Sequence, residues 1–148
     1  MNPEVGSIMG YFYKVFPVKV YDAQIPESFE KPSLYFPTPH VFDGNDTNTT
    51  YMKTYSLSVK LFHHDSKQAH SEAERIADAI RAERSVIPLL NDDGSPTGDY
   101  VRFTRIETRV SDEGVAIILL NWDSRYYYEK PTAAPLQFVE FKSGVKEK

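Results

Sequence analysis

The chain has 148 residues, of which 41% are apolar and 26% charged, and its formal net charge is −4. This length fits one domain with a core large enough to be stable alone. The chain contains no cysteine, which excludes disulfides, thiolate metal sites and a cysteine nucleophile. Its Lys and Arg residues are scattered, so the charge pattern typical of a nucleic-acid-binding protein is missing.

The first half of the chain is predicted to begin with one helix and two short strands. Apolar residues at the helical period predict a helix over Pro3–Val15, which Pro17 ends. Val18–Tyr21 and Ser33–Phe36 are predicted strands, and the proline-containing segment Gln24–Pro32 between them is a predicted loop.

A polar, turn-rich segment, Asp43–Thr50, is predicted to be a mobile loop. The strand after it, Tyr51–Phe62, has the clearest pattern, because apolar residues alternate with mostly polar ones along its length. Such alternation predicts that one face of the strand lies on the core. The apolar positions are Tyr55, Leu57, Val59 and Leu61.

A second helix is predicted from Asp65 to about Arg84. Asp65 and Gln68 have the spacing of a capping box at a helix start. The apolar stripe of this helix consists of Ala69, Ala73, Ile76, Ala77 and Ile80. Three of these five residues are alanines, so the helix can lie close to a sheet. Its other face carries the acidic residues Glu72, Glu74 and Asp78.

Three strands and two turns are predicted after this helix. The strands are Val86–Leu90, Tyr100–Val110 and Val115 to about Tyr127. The turns are Asn91–Gly98 and Ser111–Gly114, the second of which predicts a hairpin. The last strand is apolar on both faces between Val115 and Leu120, which predicts a central position in the sheet.

Because hairpins dominate this order, the sequence predicts an α+β fold, a mainly antiparallel sheet with two helices packed on one face. One domain is predicted over residues 1–130, with an extended C-terminal tail over residues 131–148. The residues predicted to lie mainly in the core are Leu57, Val59, Leu61, Ile76, Ile80, Val101, Phe103, Ile118, Leu120 and Trp122.

The tail contains a segment, Leu136–Lys142, with enough β propensity to pair with a strand. Pro131 and Pro135 before it favour an extended chain. The segment is predicted either to add to a neighbouring subunit or to fold back as an edge strand of its own domain. Its apolar residues, a possible oligomer interface, are Leu136, Phe138, Val139 and Phe141.

Four residues near the middle of the chain resemble a metal or catalytic cluster: His63, His64, Asp65 and His70. Neither the i,i+4 helical spacing nor the His-x-His strand spacing of metal ligands is present. A strand end followed by a helix cap accounts for them better. We therefore predict no catalytic residue, no metal site and no cofactor, and a protein that is not an enzyme. Arg102, Arg105 and Arg109, with Glu107 nearby, are predicted to be solvated cross-strand partners, not a phosphate-binding row.

Several stretches resemble the tail-terminator (tail-completion) proteins of long-tailed phages and prophages. Phe16-Pro17 leads into a strand, and Lys31-Pro32 leads into an aromatic strand. A long strand ending at Phe62, a helix, and a hairpin through Ser111–Gly114 follow in a similar order. The resemblance covers about Phe12 to Lys130; the first helix is shorter, and the Asn91–Gly98 turn and the tail are longer, than in that family.

The resemblance implies a ring-forming virion protein, usually a hexamer, at the head-proximal end of the tail. Such a ring caps the finished tail tube, ends its growth and forms part of the head–tail joining surface. The implied partners are other copies of the chain, the tail-tube protein and the head-completion protein, first in the host cytoplasm and then in the virion. No membrane and no specific DNA sequence is involved.

If DNA passes through such a ring, the acidic residues Glu72, Glu74 and Asp78 are candidates for its lumen, where they would repel phosphates. Two other functions stay open from the sequence. One is a neighbouring head–tail connector or minor tail protein. The other, less favoured, is a small metal-dependent hydrolase that uses His63, His64 or His70 with Asp65.

Overall fold

The computed structural model describes residues 3–22 and 24–127. Within them the chain forms two helices and seven strands. The helices are α1 (Pro3–Val15) and α2 (Ser66–Ala82). The strands are β1 (Lys19–Tyr21), β2 (Ser33–Tyr35), β3 (His40–Asn45), β4 (Thr50–Phe62), β5 (Val86–Leu90), β6 (Pro96–Asp112) and β7 (Val115–Tyr127).

The seven strands form one sheet with the order β1-β2-β4-β7-β6-β5. The remaining strand, β3, pairs with β4 on the same side of β4 as β2 does. The pairs are antiparallel except for β1 and β2, which are parallel. The sheet is therefore mainly antiparallel, as predicted. The single parallel pair reflects the long loop between Tyr21 and Ser33, since parallel neighbours cannot be joined by a tight hairpin.

The strand β7 lies at the centre of the sheet, between β4 and β6. Its pairing with β4 runs without interruption from Thr50 opposite Tyr127 to Phe62 opposite Val115. Ala116, Ile118 and Leu120 on one face of β7 are fully buried. Ile117 on the other face is also buried, so the apolar run serves both faces of this strand. The predicted central position is confirmed.

The helix α2 begins at its predicted cap. The Asp65 carboxylate accepts a hydrogen bond of 2.7 Å from the backbone N–H of Gln68. The helix ends at Ala82, slightly before the predicted end, because Arg84 and Ser85 have positive φ angles of 60° and 59° and turn the chain away. All five residues of the apolar stripe are buried, and α2 packs on β6 and β7.

The helix α1 lies on the same face of the sheet as α2 and contacts both β5 and α2. Its Phe12 ring packs edge-on against Phe36, with 5.3 Å between the ring centroids. Val5, Ile8 and Phe12 belong to the same buried cluster as the α2 stripe. The prediction of two helices on one face is confirmed.

The core contains every residue predicted for it. All ten are buried, from Leu57 on β4 to Trp122 on β7. Trp122 stacks on Tyr55, its cross-strand partner, at 5.2 Å, and the Phe103 ring meets Trp122 edge-on at 6.0 Å. Aromatic pairs in these geometries are more stable than their buried area alone suggests.

The prediction of a loop over Asp43–Thr50 is wrong for its first part. The strand β3 continues through Asn45, and its ladder with β4 runs from His40 opposite Ser56 to Asn45 opposite Tyr51. Polar and turn-forming residues have low β propensity, but pairing with an existing strand overrides that preference. Only residues 46–49 form the turn.

The two later turns are shorter than predicted, because β6 extends past both of its predicted ends, to Pro96 and Asp112. The hairpin between β6 and β7 is closed by Glu113 and Gly114. Gly114 has a φ of 73°, and a Cβ there would lie 2.7 Å from the backbone oxygen of His63. Any other residue would be strained at this position.

The predicted tail, residues 131–148 with Leu136, Phe138, Val139 and Phe141, lies outside the described residues, as does the predicted domain boundary at residue 130. In the part of the chain that the structure describes, no helix is long and apolar enough to cross a membrane.

Truncation of Ile118 to alanine should strongly destabilise the fold. Ile118 is fully buried on the central strand, and removing such a side chain costs about 2–5 kcal/mol through lost burial and the cavity left behind. Denaturant unfolding measures the change. Val110→Ala, at a residue 45% exposed on β6, is the control and should change the unfolding midpoint little. An unchanged midpoint for Ile118→Ala would contradict the core assignment.

Candidate protein–protein interface

The histidine cluster has the geometry of a strand end and a helix cap. The backbone N–H of His63 donates to the Gly114 oxygen at 2.8 Å, and the His63 Nδ1 accepts from the backbone N–H of His64 at 2.9 Å. Asp65 caps α2. Among residues 3–22 and 24–127, no group of three or more His, Asp or Glu side chains is placed to hold a metal ion.

The arginines of β6 lie on its exposed side. Arg105 donates to Glu107 at 2.6 Å, and both residues are on the same strand. A β-bulge between Phe103 and Arg105 interrupts the ladder with β7 just before this pair. The partner of Arg105 is thus a neighbour along the same strand, and the predicted cross-strand pairing is wrong for this residue.

The acidic face of α2 is largely compensated by arginines. Glu72 forms an ion pair of 2.8 Å with Arg75, and Asp78 forms one of 2.9 Å with Arg81. Glu74 accepts a hydrogen bond from the Thr108 hydroxyl and lies 4.0 Å from Arg81. The face therefore has a weaker negative field than its acidic residues alone would produce. That Glu72, Glu74 and Asp78 face a lumen stays a prediction.

The turn between β3 and β4 is held by Asp46. Its carboxylate accepts a hydrogen bond of 2.7 Å from the Thr50 hydroxyl and is also bound by the Arg125 guanidinium on β7. The hydrogen bond from Thr50 and then the bond from Arg125 hold the pKa of Asp46 below its usual range. The Thr47 hydroxyl accepts from the Thr50 backbone N–H at 3.0 Å. These bonds fix the start of β4 against the end of β7.

In the part of the chain that the structure describes, no strand pairs with the outer side of β3, and this edge is partly apolar. Val41 is 47% exposed and Phe42 56% exposed. Beside Val41, a groove of about 380 Å³ runs between β3 and α1. Its walls include Val5, Met9 and Phe36. Exposed apolar residues at a strand edge next to an apolar groove are typical of a protein-binding surface.

The opposite edge of the sheet, at β5, is protected. Pro88 within β5 has no N–H to donate, and the register with β6 shifts after it. The helix α1 contacts β5, and the Leu90 N–H donates to the Ser7 hydroxyl at 3.1 Å. Proline, irregular pairing and a covering helix are known means of blocking strand addition.

Beyond this protected edge, the turn between β5 and β6 forms an exposed arm. Residues 90–100 are all exposed. Ser95 donates to the Asp93 carboxylate from both its hydroxyl and its N–H, which lowers the pKa of Asp93. The arm is thus an ordered turn at the side of the molecule opposite β3.

Reasoning from the sequence alone did not identify the β3 edge. The signal was the apolar pair Val41-Phe42 between Pro39 and a polar segment, which is too short to predict a strand without a partner. The predicted interface residues Leu136, Phe138, Val139 and Phe141 lie outside the described residues, so the structure places none of them.

The fold and its surfaces define a class: a small α+β protein with an open, partly apolar strand edge of the kind that binds other proteins. The profile of the phage tail terminator protein family matches residues 6–135. The chain belongs to this family, as its sequence resemblance predicted, and is a structural tail protein of the phage virion.

Two relatives from Bacillus subtilis (strain 168) match nearly the whole chain. Uncharacterized protein YqbJ is 56% identical over 146 residues, which cover 99% of this chain and 100% of the relative. Phage-like element PBSX protein XkdJ is 53% identical over the same length and coverage. A solved chain from the virion of a native gene transfer agent particle has a TM-score of 0.45 and 15% identity, and the match covers 84% of this chain and 98% of that one.

Replacing Asp46 with asparagine should lower thermal stability at neutral pH. Because the folded-state pKa of Asp46 is depressed, the stability that its carboxylate adds is present above the unfolded pKa of about 3.9 and is lost as pH falls through the folded pKa. The difference in Tm between wild type and Asp46→Asn should therefore shrink below about pH 4. Asp92→Asn, at an exposed arm residue, is the control. A Tm difference independent of pH would contradict this role.

Proposed function

We propose that the protein caps the tail tube, ends tail growth and forms part of the head–tail joining surface as an oligomeric ring, a hexamer by its resemblance. The family match over residues 6–135 carries this proposal. The proposed partners are other copies of the chain, the tail-tube protein and the head-completion protein. The ring acts at the head-proximal end of the virion tail, after assembly in the host cytoplasm.

The fold supports a ring through the placement of its surfaces. A closed ring needs two different patches on each subunit, one of which meets the other on the neighbour. The open β3 edge and the exposed arm lie at opposite sides of the same sheet. The two sides differ in chemistry. The β3 side has an unpaired strand edge, whereas the β5 side has a protected edge and a polar turn. A subunit built in this way can contact a different neighbour on each side.

In this role the protein performs no chemical reaction. The described residues around His63, His64 and Asp65 form a strand end and a helix cap, which supports a structural role. The protein needs no cofactor in this role. DNA passes through the ring without sequence-specific contacts.

The ring and its capping activity are tested with the purified full-length chain. Light scattering should give one defined multiple of the 17.0 kDa chain mass, and electron microscopy should show rings. Added to polymerising tail-tube protein of the same phage or prophage, the ring should stop tube elongation and appear at one tube end.

A chain that stays monomeric at all concentrations would contradict the ring. A ring that leaves tube elongation unchanged but binds a head-side protein would instead favour a neighbouring head–tail connector. Bovine serum albumin at the same concentration is the control for nonspecific effects on tube growth.

The acidic residues of α2 are proposed to face the lumen of the ring, and a charge reversal at one of them tests this position. Asp78 is the most exposed of the three acidic residues, with 69% of its side chain accessible. If α2 lines the channel, Asp78→Lys should make the assembled ring bind double-stranded DNA more tightly, because repeated positive charges in a ring attract phosphates. Asp99→Lys, on the arm, makes the same charge change elsewhere. Equal DNA binding by both variants would contradict a lumen position for α2.

A further inference from the structure

Within the part of the chain that the structure describes, β3 and the part of β6 beyond Phe103 each have an edge without an outer strand partner. The β6 edge has a bulge between Phe103 and Arg105 and carries the charged pair Arg105–Glu107. Its Ile106 oxygen accepts a hydrogen bond from Arg81. Bulges and charges oppose strand addition, so β3 is the one of these two edges that can accept another strand.

Among the described residues, β3 pairs with β4 alone, so alternate backbone N–H and C=O groups of its six residues point away from the sheet. No proline interrupts this strand. The strand β1, on the same side of the sheet, has only three residues, and β5 on the other side is protected by Pro88 and α1.

The β3 edge has an exposed apolar residue on each face. Val41 pairs with Tyr55, which is buried in the core, so Val41 points to the helix side of the sheet. Phe42 points to the opposite side, because successive residues of a strand alternate. Val41 also borders the groove beside α1. A strand that fits here needs apolar side chains on both of its faces.

The C-terminal part of the sequence contains a segment with this pattern of apolar residues. Residues 136–141 read Leu-Gln-Phe-Val-Glu-Phe. In an extended chain, Leu136 and Phe138 share one face, and Val139 and Phe141 share the other. One pair can enter the groove beside Val41 while the other covers Phe42. This pattern matches an edge that is apolar on both sides.

We propose that the β3 edge and its groove receive Leu136–Phe141 of a neighbouring copy as an added strand. This inference rests on the ring proposed above and names the contact that closes it. Backbone hydrogen bonds along β3 and the apolar side chains on both faces would hold the segment, as in other cases of strand addition. The eight residues between Tyr127 and Leu136 span at most about 26 Å when extended.

A neighbouring copy is the occupant of the β3 edge because each subunit of a closed ring needs two different patches, one of which binds the other on the next subunit. The segment and the edge are two such different surfaces, and the contact repeats around the ring. Pairing within one chain would use both surfaces and leave neither for a neighbour. Pairing between chains and pairing within one chain give different disulfide-linked products.

Disulfide trapping tests the contact directly, since the chain has no native cysteine. Phe42→Cys is made in one chain. The segment variants, made singly in a second and differently tagged chain, are Leu136→Cys, Phe138→Cys, Val139→Cys and Phe141→Cys. Facing residues of paired strands have Cα atoms about 4.5–5.5 Å apart, within the range that a disulfide bridges. After co-expression and mild oxidation, at least one combination should give a covalent dimer with both tags, at twice the 17.0 kDa chain mass.

The matched control chain carries Lys67→Cys in place of Phe42→Cys. Lys67 is an exposed residue of α2. Dimer yields equal to this control, in rings of normal mass, would overturn the inference and leave the ring standing. A chain carrying both cysteines that gives only an internal disulfide would show pairing within one chain and would also overturn it. If the protein forms no ring at all, that result contradicts the proposed function and, with it, the contact that rests on it.

A charge on the edge gives an independent test without cysteines. Lysine on an edge strand opposes the addition of another strand, so Val41→Lys should release monomers from the ring. Val110→Lys introduces the same charge at a residue of similar exposure, 45% against 47%, and should leave the ring intact. Thermal unfolding should show that both variants still fold. A ring unchanged by Val41→Lys, or lost equally in both, would overturn the inference.

Discussion

The ladder between β4 and β7 is the contact on which the rest of the molecule depends. Its thirteen consecutive residue pairs run the full length of both strands. They place Tyr55 beside Trp122 and so bring together the aromatic centre of the core. On the helix side, alternate residues of the two strands form the surface on which the helices pack. The core would lose both its sheet and its helix contacts if this register slipped by one residue, because each side chain would then change face.

The free side of β4 is divided between two short strands. β2 pairs with its last three residues, and β3 pairs with residues 51–56. Between them, residues 57–59 of β4 have no strand partner on that side, where the chain passes as Phe36–Pro39. Pro37 and Pro39 carry no N–H and cannot join a ladder. The prolines thus separate β2 from β3, and no described strand pairs with the outer side of β3.

Most of the fold could be predicted because its signals are local. The period of α1, the Asp65 cap, the alternation in β4 and the two-sided apolar run of β7 each depend on neighbouring residues in the sequence. The strand β3 could not be predicted in this way, since Asp43, Gly44 and Asn45 have low β propensity and only the ladder with β4 holds them extended.

The same distinction applies to the surfaces. The pairs Glu72–Arg75 and Asp78–Arg81 are three residues apart on one helix, so their compensation was readable from spacing alone. The bond between Asp46 and Arg125 joins residues 79 positions apart, and no local pattern indicates it. The apolar groove beside Val41 likewise exists only because α1 and β3 are brought together by the fold.

Charge satisfaction within the subunit bears on how the proposed ring would be held together. Arg75, Arg81, Arg105 and Arg125 each bind an acidic side chain of their own chain. These guanidinium groups would have to give up a partner before they could bridge to another subunit, so their gain in doing so is small. The β3 edge has the opposite character, because its outward backbone groups have no strand partner among the described residues and two of its side chains are exposed and apolar. A contact at that edge adds hydrogen bonds and buries apolar surface without breaking an existing ion pair. The physical chemistry of the surface therefore favours assembly through the sheet edge over assembly through the charged faces.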